Sequence, residues 1–148
     1  MTRHDLAHST GEAGDAAQAR DQYAALLPTL KRVLGDEHPE TLIDRSNLAD
    51  WTGKAGDPAA ARDQLAALMS ASERVSGAEH PDTLTDYARL ARWTGAAGDA
   101  AGARDRYAAL LPAIERVLGP EHPETQAARE TLANRADEAD DDVNRGVK

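Results

Sequence analysis

The chain has 148 residues, none of them cysteine or phenylalanine, and only two tryptophans and three tyrosines. Without cysteine there is no disulfide, no thiolate nucleophile and no Cys-ligated zinc, and nothing in the composition points to an oxidising compartment. No apolar run approaches the roughly 20 residues of a membrane span, and the opening Thr2-Arg3-His4-Asp5 lacks the apolar stretch of a signal peptide. The cytoplasm is the expected location, with no membrane partner. Positive charge is in deficit too. The net charge is −9, of which Asp137, Glu138, Asp140, Asp141 and Asp142 against Arg145 and Lys148 account for −3. Such a surface repels phosphates, which argues against a nucleic-acid partner. A glycine-rich phosphate loop and a Ser/His/Asp constellation are both missing. The carboxylates fall at caps, at i±4 positions and in the tail, so neither enzymatic activity nor a cofactor is expected.

What the chain does have is one phrase said three times. Gly14-Asp15-Ala16-Ala17-Gln18-Ala19-Arg20, Gly56-Asp57-Pro58-Ala59-Ala60-Ala61-Arg62 and Gly98-Asp99-Ala100-Ala101-Gly102-Ala103-Arg104 recur at an interval of 42 residues. The same interval links Glu37-His38-Pro39, Glu79-His80-Pro81 and Glu121-His122-Pro123, and residues 14–41 match 98–125 at 22 of 28 positions. A fixed period spanning loops and helices alike marks a repeat array, in which each unit buries its apolar face on its neighbours.

Each period reads as two helices. Gly14, Gly56 and Gly98 end a first helix, and Asp15, Asp57 and Asp99 cap a second one, with Pro58 at the first helical position of the middle unit. Gly35, Gly77 and Gly119 stop the second helices, and Pro39, Pro81 and Pro123 open the next first helices. The stripe Ala19, Tyr23, Leu26, Leu27, Leu30, Val33 and Leu34 has helical spacing and predicts the buried face, repeated as Ala103, Tyr107, Leu110, Leu111, Ile114, Val117 and Leu118. Pro28 and Pro112 inside these helices predict kinks. The middle unit has Ser70, Ser72 and Ser76 in place of Pro28, Leu30 and Leu34, which predicts the least tightly packed second helix. The array is expected over 1–136, with repeats at about 1–35, 39–77 and 81–119 and a capping helix at 123–136. There Gln126 and Arg135 replace the leucine and tryptophan of the series. Residues 137–148 read as an acidic, disordered tail. Leu6-Ala7 share the register of Leu48-Ala49, so the first helix reads as truncated, as in a chain cut from a longer array and able to pair with a second copy through that repeat.

These helix pairs, with Leu-Ala in the first helix, Gly-Asp at the turn and a Gly-x-Glu-His-Pro connector, resemble tetratricopeptide repeats over about residues 3–136. The 42-residue unit is similar to the repeats of kinesin light chains and to arrays in actinobacterial signalling proteins. Arg3, Arg45 and Arg129 depart from the pattern, which has a large apolar residue there, whereas Tyr87 conforms. The resemblance implies an all-α, right-handed α-solenoid of three helix-turn-helix units plus a cap, whose first helices line a concave groove. It also implies a non-catalytic module that binds a peptide or protein segment there. A structural, self-assembling or spacer segment of a larger signalling protein is the alternative.

A helical wheel places Ile43, Ser46, Asn47, Asp50, Gly53 and Lys54 on the groove side of one first helix, and Thr85, Ala88, Arg89, Arg92 and Ala96 on the next. His4, Asp5, His8 and Glu12 hold the matching positions in repeat one. The candidate groove set is His8, Asn47, Asp50, Trp51, Lys54, Arg89, Arg92 and Trp93. The resemblance gives Asn47 the role of contacting a ligand backbone. Trp51 and Trp93 read either as packing between first helices or as stacking walls for a ligand. Arg89 and Arg92 read as a carboxylate or phosphate receiver or as partners of acids such as Asp50. His38, His80 and His122 recur too far apart for one metal, because equivalent points on packed helices lie about 8–10 Å apart and zinc needs donors at about 2 Å. They read as helix-starting loop residues. His4 and His8, at i and i+4, lack a third ligand, so no metal is expected.

Overall fold

The computed structural model describes residues 14–146, with side chains through Asn134, and these form six helices. They are α1 (Ala16–Leu34), α2 (Pro39–Lys54), α3 (Pro58–Ser76), α4 (Pro81–Ala96), α5 (Ala100–Val117) and α6 (Pro123–Gly146). The expected first helix of repeat one, with His4 and His8, lies outside the described residues.

The repeated phrases do their work at the helix ends. An aspartate side chain starts each second helix by accepting a backbone N–H three residues on, from Gln18 to Asp15 (2.9 Å), Ala60 to Asp57 (3.1 Å) and Gly102 to Asp99 (2.8 Å). These bonds satisfy donors that no helical carbonyl can reach. A histidine starts each first helix in the same sense: Nδ1 of His38, His80 and His122 accepts the backbone N–H of Glu40, Asp82 and Glu124, each at 3.1 Å. An accepting Nδ1 requires the ring to be neutral with its proton on Nε2. Gly35 and Gly77 leave the helices at φ near +100°, a backbone region costly for any residue with a Cβ.

Each helix packs on the next along the chain. In addition α2 touches α4 and α4 touches α6, while no comparable contact joins α1, α3 and α5. First helices therefore lie closer together than second helices, and the array curves with α2, α4 and α6 on its inner side. The fold is an α-solenoid, as expected. Its core comes in satellites, one per junction: Ala19, Tyr23 and Trp51; Ala49, Ala61, Leu65, Leu68, Met69, Leu90 and Trp93; then Leu84, Ala88, Ala91, Tyr107, Ile114 and Ala128.

Several expectations are refined. α1 and α5 run unbroken through Pro28 and Pro112. Val33 sits at the edge of its stripe and is 68% exposed. The middle second helix, α3, buries more of its residues than α1 or α5 do, and the recess opens beside it at Ser72 and Ser76. The backbone of α6 stays helical to Gly146 instead of ending at Ala136; Ala136, Glu138 and Ala139 are good helix formers. Arg129 replaces an apolar residue yet has a use, donating from Nε and Nη2 to Glu115 at 3.0 and 2.9 Å.

One glycine is held by a neighbour rather than by its own dihedrals. A Cβ at Gly53, inside α2, would fall 2.5–2.7 Å from the ring atoms of Trp93, so the indole lies flat on the α2 backbone. At Gly95, one repeat on, the nearest atom to such a Cβ is that of Ala103, at 3.1 Å. Both glycines lie in the last turn of their helices, where replacement by alanine normally gains up to about 1 kcal/mol. Gly53→Ala is instead expected to destabilise by about 1–3 kcal/mol through overpacking, and Gly95→Ala by clearly less. Urea unfolding of both variants checks the order.

Candidate functional site

Along the seam between α2 and α4, polar side chains meet at Asp50, which is 5% exposed. Trp93 donates Nε1–H to Asp50 Oδ1 at 3.0 Å, and Arg92 Nη1 donates to the same oxygen at 3.3 Å. Lys54 Nζ sits 3.0 Å from Oδ2, and Arg89 Nε is 3.9 Å from it. Arg92 then reaches the other way, donating Nη2 to Glu124 Oε1 at 2.6 Å, so one guanidinium ties three first helices together. Lys54 also lies 4.3 Å from the centre of the Trp51 ring, within cation–π range.

Burial alone would raise the Asp50 carboxyl, but Arg89, Lys54 and Arg92 outweigh it and hold the group below the usual carboxylate range. Asp86 goes the other way. Burial raises it, and hydroxyl hydrogen bonds from Ser46 and Ser72, with the nearby Arg89, do not fully offset that. Asp44, fully buried, is pushed up to about 7 by burial. Tyr107 is pushed up to about 12, again mainly by burial.

The second feature of the inner face is a recess of ≈130 Å³ beside Asn47, between the N-terminal halves of α2 and α4, with the end of α3 as its floor. Ser46, Ser72, Ser76, Asp86 and Arg89 face it. Arg89 Nη1 donates to Ser46 Oγ at 2.8 Å and to Asn47 Oδ1 at 3.1 Å.

The structure thus brings together Asn47, Asp50, Lys54, Arg89, Arg92 and Trp93, but it divides them by exposure. Asn47, Lys54 and Arg92 keep surface on the inner face, whereas Asp50, Trp51 and Trp93 are buried, as are Ser46, Gly53 and Ala88. A wheel with two faces cannot anticipate this, because a first helix has three: one toward its own second helix, one toward the neighbouring first helix and one toward the groove. His8 lies outside the described residues. The recurrent histidines sit at helix starts, each with Nδ1 bound to a backbone N–H, and no group of three metal-capable side chains forms among the described residues. Glu37 and Glu79 of the connectors, overlooked in the sequence, receive Arg74 and Arg116 from the second helix that follows. No helix among the described residues is long and apolar enough to cross a membrane.

Two descriptions of the tetratricopeptide repeat match the sequence, over residues 1–69 and 83–124, together about three quarters of the chain. Among solved structures, nearly identical TPR-like repeats of a Podosopora anserina protein assigned as a kinesin light chain superpose with a TM-score of 0.77 at 24% identity, over 89% of this chain and 63% of theirs. A single-substitution variant of those repeats gives the same TM-score and identity, with 62% of its length covered. This chain spans less than two thirds of those structures, and the likeness is one of fold. No curated protein matches the chain.

Ionisation of two buried carboxyls of α2, Asp50 and Asp44, gives a testable pH signature. A carboxyl held low in the folded state stabilises above its unfolded value, about 4, and that contribution is lost as the pH falls through the folded value. Asp44 has the opposite sign: its contribution is complete at acid pH and is lost as the pH rises from about 4 toward its folded value of about 7. Asp50→Asn is therefore expected to cost about 2 kcal/mol at pH 7 and progressively less below pH ~4. Asp44→Asn should flatten the fall in stability between pH ~5 and ~7. Urea midpoints from pH ~3 to ~7 check both.

Proposed function

Because the chain belongs to the tetratricopeptide repeat family, with repeats like those of kinesin light chains, we propose that it is a non-catalytic, cytoplasmic interaction module. It holds an extended peptide or protein segment along the inner face of α2, α4 and α6. Tetratricopeptide repeats in general mediate protein–protein interaction or scaffolding, through the long concave surfaces that stacked units create. The observation that carries the reading is the inner face itself: first helices side by side, with Asn47 partly exposed next to an open recess.

In this reading Asn47 offers its side-chain amide to the ligand backbone, and Lys54 and Arg92 flank the segment at the far end of the groove. Asp50, Trp51 and Trp93 hold the frame. Arg89, already donating to Ser46 and Asn47, orients that amide rather than receiving a ligand carboxylate. An extended segment suits such a surface, because its unpaired backbone groups can be met by side-chain amides fixed on rigid helices.

Selection of displayed twelve-residue peptides on the full chain, followed by titration of the best binders, tests this. Asn47→Ala should weaken binding by about tenfold, or 1.4 kcal/mol, while Arg116→Ala, exposed on α5, should leave it unchanged. Binding unaffected by Asn47→Ala would remove the groove assignment.

A further inference from the structure

Resting on the groove reading above, we propose that the recess between α2 and α4 receives the ammonium or guanidinium group of a basic side chain from the bound segment. The recess exists because of two substitutions within the repeat. Ser72 and Ser76 stand where repeat one has Leu30 and Leu34 and repeat three has Ile114 and Leu118. Two hydroxyls in place of two branched aliphatic groups leave ≈130 Å³ unfilled. A water molecule's share of liquid volume is about 30 Å³, so the space suits the end of a side chain rather than a single water.

Its chemistry selects a cation. Asp86 lines the recess at 6% exposure and carries a buried carboxylate. Ser46 donates to its Oδ1 at 2.5 Å and Ser72 to its Oδ2 at 3.1 Å, both neutral donors. A carboxylate offers about four acceptor positions, so two remain. The nearest cation, Arg89, gives its Nη1 to Ser46 and Asn47 instead. Burial lifts Asp86 above the usual range, the mark of a charge whose surroundings compensate it incompletely.

Two further charged groups stand on the recess wall: Asp82, exposed, whose Oδ2 lies 3.8 Å from His80 Nδ1, and Arg89, whose Nη1 is already held by Ser46 and Asn47, so the wall carries two carboxylates against one guanidinium. An incoming anion would meet both carboxylates, and a purely apolar group would desolvate Asp86 further. A cation would complete it. In the next repeat position Asp86 is replaced by Ala128 and Ser72 by Ile114, so this combination of carboxylate and missing volume arises once among the described residues.

Three acetylated, amidated nine-residue Ala/Ser/Thr peptides, with Lys, norleucine or Glu at the centre, test the assignment by calorimetry and amide shifts on the full chain. The Lys peptide should bind at least tenfold more tightly than the norleucine peptide, with shifts at Ser72, Ser76 and Asp86, and the Glu peptide most weakly. Asp86→Asn should erase that preference. So should Ser76→Leu, which fills the recess with the residue of repeats one and three and keeps the test available if Asp86→Asn folds poorly. Equal binding of the Lys and norleucine peptides, or a preference that survives both variants, overturns the recess assignment and leaves the groove standing. A probe independent of the groove is n-butylammonium, compared with n-butanol. Shifts at Ser72 and Ser76 specific to the ammonium uphold the recess even if no peptide binds, and their absence overturns it.

Discussion

A single buried carboxylate, Asp50, sets how one repeat sits on the next. It takes a hydrogen bond from the Trp93 indole and charge from Arg92 and Lys54, with Arg89 close by, and three of these four partners belong to the neighbouring first helix. A carboxylate buried without partners would be severely destabilising. Moving α4 along α2 by even a fraction of a turn would strand it. The same contact lays the Trp93 ring on Gly53, where any side chain would collide, so apolar packing and polar pairing fix the same register. Arg92 carries the constraint one helix further through Glu124.

This has consequences for how the array holds together. Apolar contact alone, in satellite clusters of alanine and leucine, is non-directional and would allow adjacent helices to slide. The seam supplies direction. The ion pairs on the outside contribute much less: Arg20–Asp21, Arg62–Asp63 and Arg104–Asp105 join adjacent, solvated residues, and pairs of that kind are worth little. The inner face thereby acquires two unlike ends along α2 and α4, a basic one at Lys54 and Arg92 and an acidic one at Asp82 and Asp86. A ligand segment lying in the groove would have a preferred direction.

Much of this was legible in the sequence, because the features that fix the fold are local and recur. Asp15, His38, Gly35 and their repeats announce helix ends through their own chemistry, and the 42-residue interval gives the stacking without any knowledge of contacts. The solenoid follows from these. The site was legible only in part. Asn47, Asp50, Arg89, Arg92 and Trp93 were picked out by register, but which of them keep surface on the inner face depends on how closely two first helices approach, and that distance is set by side chains 40 or more residues apart. A signal was nonetheless present: Gly53 and Gly95 recur inside helices, where glycine is costly, and such a residue is kept where a neighbour needs the room. The serines of the middle unit likewise announced missing volume. The sequence placed that looseness along a whole helix, whereas α3 keeps one face buried from Ala61 to Ala71 and the recess lies at its end, beside Ser72 and Ser76.

The most direct test of the account is a double-mutant cycle between Asp50→Asn and Trp93→Phe, read by urea unfolding of the full chain at pH 7. If the carboxylate and the indole form one locking unit, the two losses are strongly non-additive, with a coupling energy of about 1–2 kcal/mol. Losses that add within about 0.3 kcal/mol would mean that Asp50 does not hold the repeats in register, and that apolar contact alone sets the curvature of the array.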